Sequence, residues 1–287
     1  MRYHRPSTFE EAARLAASAS GVTRFLSGGT DVLVQLRSGM VTPDDLIDVK
    51  GIPGASEITR NEDGGWRIGA ATPGAMLGAN AGLVADWPGV VEGIELVGST
   101  QIQARASLAG NLCNSSPAAD GVPAMMAAAA TATITGPNGA RTAAIEDIPA
   151  GPGTTTLGPG EVISWINLPP RGDHGGDAYL RFIPRTEMDI AVVGCAVNLR
   201  RDDAVVTEAR VALGAVAPTV LLVPEAAEAI VGTTLDDDAL AALAGAASAA
   251  CRPINDKRGT IEFRTDVAGV LARRAARTAY LRAGGEK

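Results

Sequence analysis

Two stretches of the 287-residue chain gather the residue types that grip phosphate and polyol groups. The first is Phe25-Leu26-Ser27-Gly28-Gly29-Thr30-Asp31-Val32. A backbone without Cβ lets a diphosphate approach closely. Amide hydrogens at the start of a following helix point at phosphate oxygens, and the helix dipole favours the negative charge. The hydroxyls of Ser27 and Thr30 add donors. Taken alone, a Gly-Gly turn between strand and helix serves structure more often than binding. The stretch matches neither GxGxxG nor GxxxxGK(S/T), which disfavours Rossmann and P-loop chemistry and leaves open a phosphate-bearing ligand held by another fold.

The second stretch runs from Ser107 to Asp120 and reads SLAGNLCNSSPAAD. Its polar side chains are Ser107, Asn111, Asn114, Ser115, Ser116 and Asp120, interleaved with small residues and followed by an apolar helix. Asp120 also reads as the N-cap of that helix, a role that needs no ligand. So polar a loop beside so apolar a helix suits a neutral polyol such as a ribityl chain.

Other chemistries find little support. The formal net charge is −7 with no long basic run, whereas nucleic acid requires a concentrated positive surface. His4 and His174 are the two histidines, and neither has metal-ligand spacing. Cys113, Cys195 and Cys251 lie far apart with no CxxC, and their odd number argues against a disulfide framework. An iron–sulfur cluster normally needs about four thiolates, so this chain alone is expected to hold none. The cysteines read as structural thiols and the histidines as surface residues. No apolar stretch reaches the roughly 20 residues of a membrane-spanning helix, and Met1 to Pro6 lacks the hydrophobic region of a signal peptide. A soluble cytoplasmic protein is the expectation.

The elements that must position the two stretches follow from patterning. Ser7–Ala19 reads as an amphipathic helix with Glu10 and Glu11 in its first turn, where the dipole favours them. Thr23–Leu26 reads as a short buried strand, and Val32, Leu33 and Leu36 as a helix after the glycine turn. Strands are expected at 46–49, 57–59 and 66–70, and a helix at 88–97. Residues 98–120 read as a polar, glycine-containing segment, 122–130 as a helix of small residues, and 131–135 with 140–145 as a hairpin across Pro137-Asn138-Gly139. The Gly-, Pro- and Thr-rich stretch 150–160 marks a loop or boundary, and a second boundary falls at residues 169–173. Strands at 191–199 and 205–213 and helices at 224–231, 237–250 and 261–282 complete the pattern. Strands and helices mix without regular βαβ alternation, which favours α+β over a doubly wound sheet. Aromatic residues are only 3% of the chain, so the core is built from Ala, Val, Leu and Ile.

With both stretches in view, the chain resembles the xanthine dehydrogenase/carbon monoxide dehydrogenase flavoprotein family. Ser27-Gly28-Gly29-Thr30-Asp31 with Leu-Val-Gln-Leu-Arg beyond it, and Gln101-Ile102 leading to Ser107-Leu108-Ala109-Gly110-Asn111 and Ser116-Pro117-Ala118-Ala119-Asp120, look like its two FAD signatures. Tyr3-His4-Arg5-Pro6, Met188-Asp189-Ile190-Ala191, residues 213–219, Lys257-Arg258-Gly259 and Phe263-Arg264 are similar to further landmarks and stand in family order.

The resemblance implies an α+β chain. Residues 1–172 would form an FAD-binding domain of the vanillyl-alcohol oxidase-like (PCMH) type, in subdomains of about 1–55 and 56–172. Residues 173–287 would form the small C-terminal domain of carbon monoxide dehydrogenase flavoproteins. Residues 25–32 would hold the diphosphate and adenosine side of FAD, and Ser107, Ala109, Gly110, Asn111, Asn114 and Asp120 would lie along the remainder. Tyr179 and Ile190 would approach the isoalloxazine ring; from the residues alone they read as a strand residue and a core residue. Asp189 and Arg185 would form an ion pair near the flavin or on the surface. Substrate would be oxidised at a molybdopterin centre on a large partner subunit. Electrons would pass through [2Fe-2S] clusters on a small partner subunit to FAD and on to an external acceptor, in a dimer of heterotrimers.

The chain departs from the family in places. Gly98-Ser99-Thr100-Gln101-Ile102-Gln103 replaces a Gly-Gly-Pro-Gln-Ile-Arg pattern, Ala109 replaces a usual glycine, and Leu222 stands where arginine is frequent. These changes bear on the flavin's potential and its acceptor. The rival readings are a stand-alone FAD oxidase of the same fold, for which the short final third offers no acid, base or covalent attachment site, and a scaffold that has lost its flavin.

Overall fold

The computed structural model describes residues 1–284. It opens with β1 (Arg2–His4), α1 (Phe9–Ser18), β2 (Thr23–Leu26), α2 (Val32–Arg37) and β3 (Asp45–Asp48). The strands form a small parallel sheet in the order β1-β3-β2. α1 starts where expected because Thr8 Oγ1 accepts the Glu11 amide at 3.1 Å while Glu11 Oε2 accepts the Ser7 amide at 2.7 Å, a capping-box arrangement displaced by one residue from the N-cap amide. β2 is less buried than its sequence suggests. Only Leu26 is buried, because Thr23, Arg24 and Phe25 line a cleft. α2 buries none of its residues.

The chain continues through β4 (Ile58–Arg60), β5 (Trp66–Gly69), α3 (Gly74–Gly78), α4 (Ala81–Asp86), α5 (Pro88–Glu95), α6 (Thr100–Gln103), α7 (Leu108–Cys113), α8 (Gly121–Ala127), β6 (Thr131–Gly136), β7 (Gly139–Ala144), β8 (Pro149–Gly151), β9 (Thr154–Thr155) and β10 (Val162–Leu168). Five strands make a sheet in the order β4-β5-β10-β6-β7. The polar segment 98–120 is not a plain loop, since it folds into α6 and α7. All seven residues of α8 are buried, and α8 packs on α5 in the first of two hydrophobic cores, with Trp87, Ile94, Leu112 and Met125. Each of the chain's three tryptophans carries an arginine: Arg60 at 5.5 Å from the Trp66 ring centre, Arg171 at 4.2 Å from Trp87 and Arg67 at 3.9 Å from Trp165.

The remainder is β11 (Gly175–Phe182), β12 (Val193–Asp202), β13 (Val205–Gly214), β14 (Leu221–Leu222), α9 (Pro224–Glu228), α10 (Asp237–Ala250) and α11 (Ile261–Arg282). The four strands form one antiparallel sheet in chain order. α10 and α11 pack closely because small residues face each other: a Cβ on Gly269 would lie 3.0 Å from the Ala244 carbonyl oxygen. Leu213, Ile230, Leu243 and Leu271 belong to this second core.

β11 joins the two cores. Side chains alternate along a strand, so Asp177, Tyr179 and Arg181 share one face. Tyr179 belongs to the first core. Its hydroxyl donates to Asp120 Oδ1 at 2.7 Å, Arg181 Nη1 donates to Asp120 Oδ2 at 2.7 Å, and the Tyr179 amide donates to Glu92 Oε2 at 3.0 Å. That last bond satisfies a donor which an edge strand would otherwise expose. Arg171 pairs with Asp177 at 3.1 Å on the same face. Among the described residues, no helix is long and apolar enough to cross a membrane.

Candidate functional site

A cleft of about 720 Å³ opens between α1, β2, α7 and the chain from Gly153 to Ile163, within the size range of ligand sites. The two stretches singled out in the sequence meet there, 80 residues apart, through Ser27 and Ser107, whose hydroxyl oxygens are 2.8 Å apart. Ser107 Oγ also accepts the Gly110 amide at 3.1 Å, and Ser27 Oγ donates to the Ala70 carbonyl at 2.9 Å. Each hydroxyl has one proton. Ser107 therefore donates to Ser27, and the chain of bonds runs one way into Ala70.

The two glycines of the first turn have different reasons to be glycine. A Cβ on Gly28 would lie 1.9 Å from the Arg105 carbonyl oxygen, so Gly28 lets the stretches touch. Gly29 has φ +82°, in the left-handed region. Beyond them, among the described residues, the amides of Gly28, Gly29, Thr30, Asp31 and Val32 donate no intramolecular hydrogen bond. Successive free amides in a turn form an anion-binding concavity. The donors belong to the turn more than to α2, whose six residues make a short dipole.

α7 links the walls. Asn114 Nδ2 donates to Asp31 Oδ1 at 3.3 Å and Gln35 Nε2 donates to Asn114 Oδ1 at 3.3 Å. Asn111 Oδ1 accepts the Gly121 amide at 2.9 Å. Asn111 thus serves the first amide of α8, the job that the sequence offered to Asp120. Asp120 itself has helical dihedrals and makes no capping bond, because its carboxylate is committed to Tyr179 and Arg181. Burial pushes the Asp120 carboxyl up to about 6, against the pull of the Arg181 charge and the Tyr179 and Arg181 hydrogen bonds.

Of the expected site residues, Ser27, Gly28, Gly29, Thr30, Asp31, Val32, Ser107, Ala109, Gly110, Asn111 and Asn114 line the cleft. Leu26 lies behind the turn with its side chain in the core. Asp120 and Tyr179 are buried where β11 meets the first core, and Ile190 is 52% exposed. The ion pair of Arg185 with Asp189 is present at 3.3 Å and is shared with Arg258 at 3.2 Å. Cys113, read from the sequence as a structural thiol, lines the cleft.

The sequence reading missed the third wall, Gly153, Thr155 and residues 157–163, and the α1 end at Ala16 and Ala17. The signal was present. Residues 151–160 carry the same small and hydroxyl-bearing types as the two recognised stretches.

Arg24 is the single cation among the described cleft-lining residues. The donor set is otherwise neutral: turn amides, hydroxyls, and the amide groups of Asn111 and Gln35. That chemistry fits FAD, whose diphosphate needs clustered N–H donors and whose ribityl chain needs neutral polar partners.

Comparison with known proteins agrees with the geometry. Residues 1–171 match the FAD binding domain in molybdopterin dehydrogenase, and residues 178–279 match the CO dehydrogenase flavoprotein C-terminal domain. The chain is similar to the carbon monoxide dehydrogenase medium chain of Afipia carboxidovorans, with 34% identity covering 98% of this chain and 97% of the relative. It is also similar to a putative xanthine dehydrogenase FAD-binding subunit of Escherichia coli, with 29% identity over 99% and 97%. A chain of the carbon monoxide dehydrogenase from Hydrogenophaga pseudoflava superposes with a TM-score of 0.94 at 31% identity, covering 98% of both chains. The α+β chain, an FAD-binding domain followed by a CO dehydrogenase flavoprotein C-terminal domain, belongs to the FAD-binding medium subunits of carbon monoxide dehydrogenase- and xanthine dehydrogenase-type molybdenum hydroxylases, which are oxidoreductase flavoproteins.

Proposed function

We propose that the chain is the electron-carrying flavoprotein of a heterotrimeric molybdopterin-dependent hydroxylase or dehydrogenase. The observation that carries this reading is the run from Gly28 to Val32, whose amides donate no hydrogen bond among the described residues and which lines a cleft together with Ser107, Asn111 and Asn114. Bound FAD would supply the redox chemistry, taking electrons from [2Fe-2S] clusters of a small partner subunit and releasing them to an external acceptor. The protein supplies binding, orientation and electrostatics.

In this reading the turn 26–32 holds the diphosphate, while Ser107, Ala109, Gly110, Asn111 and Asn114 line the rest of the dinucleotide. Asp120 lies along the dinucleotide, and Tyr179 and Ile190 approach the isoalloxazine ring. The FAD-binding part comprises residues 1–172, in subdomains of about 1–55 and 56–172. The C-terminal part starts at 173, its last residues, 285–287, lying outside the described structure. A large molybdopterin subunit selects the substrate, the assembly is a dimer of heterotrimers, and the location is cytoplasmic.

The purified subunit is expected to be yellow, and both it and its complex to release FAD, not FMN, on denaturation. A complex that releases no flavin refutes the reading. Robust substrate turnover by the isolated chain, without partners, would replace it by a stand-alone oxidase.

A further inference from the structure

We propose that Ser115 is a positioning residue for the cofactor, a clasp that sets the width of the cleft by fastening its third wall to α7. The inference rests on the FAD reading above and extends it to a residue that does not itself line the cleft.

Ser115 directly follows Asn114, which holds the α2 side of the cleft. It is 4% exposed, and its φ of 48° lies in the left-handed region that side chains other than Gly, Asn and Asp seldom adopt. That conformation turns the residue away from the cleft and toward the segment 151–154. Ser115 Oγ lies 2.9 Å from the Gly151 carbonyl oxygen and 2.7 Å from that of Thr154, sharing one proton between them. The Ser115 carbonyl accepts the Gly153 amide at 3.0 Å. Three contacts from one buried residue thus grip both strands of the β8–β9 hairpin.

The chain leaving that hairpin forms the third wall, at Thr155 and residues 157–163. A short, glycine-rich hairpin has little hydrophobic surface to hold it in place. Consecutive residues therefore hold opposite sides of one cleft: Asn114 the diphosphate turn and α2, Ser115 the hairpin. Backbone strain of this kind persists only where the surroundings over-determine it, and it gathers at functional sites.

The test compares S115G with S115A in the FAD-loaded protein, alone or in its complex. Both remove the hydroxyl. Glycine accepts the left-handed backbone without cost and alanine does not, so S115G is expected to melt at or above S115A. Both variants should bind FAD about tenfold more weakly, the change in affinity that one net hydrogen bond commonly carries. The visible circular dichroism of the bound flavin should change, and peptides spanning residues 149–160 should exchange amide hydrogens faster. An S115G protein that keeps wild-type FAD affinity and flavin dichroism overturns the proposal. A wild-type protein that takes up no flavin overturns the FAD reading as well, so the two failures are distinguishable.

Discussion

A methyl group on Gly28 would lie 1.9 Å from the carbonyl oxygen of Arg105 and 3.1 Å from the Ala106 Cα. Both are backbone, so neither can swing away. Gly28→Ala is expected to push the diphosphate turn off the Ser107 segment, costing about 1–3 kcal/mol as overpacking does and most of the bound FAD. The check is flavin per polypeptide together with the melting temperature. Retention of full flavin content would show that the contact between the two stretches is dispensable. At this scale the sequence disclosed residue types well and partners poorly. The first stretch announced clustered amides, and the amides are there. Asn111, besides lining the cleft, makes the bond to the α8 amide that Asp120 was expected to make. Either side chain can accept a bond from a helix amide, and the choice was settled by Tyr179 and Arg181, 59 and 61 residues further along the chain, which claim the Asp120 carboxylate.

Elements follow the same rule. α11 spans Ile261–Arg282 as its pattern predicts, starting at Thr260, whose hydroxyl accepts the Phe263 amide. Its caps and apolar stripe are local. β10 escaped the pattern, and β11 showed only as a strand residue at Tyr179. β10 is buried on both faces as the middle strand of its sheet, so it lacks alternation and adjoins a glycine- and proline-rich stretch that draws attention as a boundary. β11 starts Gly-Gly-Asp, a poor strand former, and owes its state to pairing with β12 along its whole length. β1 is likewise short, but it is pinned by charge. Asp45 on β3 accepts hydrogen bonds from Arg2 and His4, first the one and then the other, and these hold its carboxyl at about 2, below the usual value of 3.8. A carboxyl with a depressed pKa stabilises the fold above its unfolded value and loses that contribution as pH falls through the folded one. Stability from this pair should therefore be complete above about pH 4 and fade toward pH 2. Asp45→Asn should flatten that part of the acid unfolding curve, measured by urea titration at successive pH values. An unchanged slope would mean that β1 is held by its backbone ladder alone.

At the scale of the molecule, the two cores meet at the β11–β14 sheet, where Tyr179, Ala196 and Ala212 belong to the first and Ala178, Cys195 and Val211 to the second, and β11 presents polar side chains at the junction. The Arg181–Asp120 pair at that junction is buried on both sides, with side-chain exposures of 5% and 8%. Removing one partner of a buried pair strands the other and commonly costs about 3–5 kcal/mol. Arg181→Ala should therefore loosen the junction more than either core. The wild-type chain is expected to unfold in one step, and the variant in two. This two-core layout was only partly readable in advance. The boundary residues 169–173 carry turn signals, but Tyr179 and Ala196, well beyond them, belong to the first core, and no local pattern reveals which face of β11 turns toward it. The arginine-capped indoles supply the means of seeing the difference. Trp66, Trp87 and Trp165 all precede β11, which leaves the second core without a fluorophore of that class. Ultraviolet emission is consequently a voice from one half of the chain, while far-ultraviolet dichroism averages over both. Superimposed melting curves from the two signals would mark an intact junction, and a gap between them would time its failure.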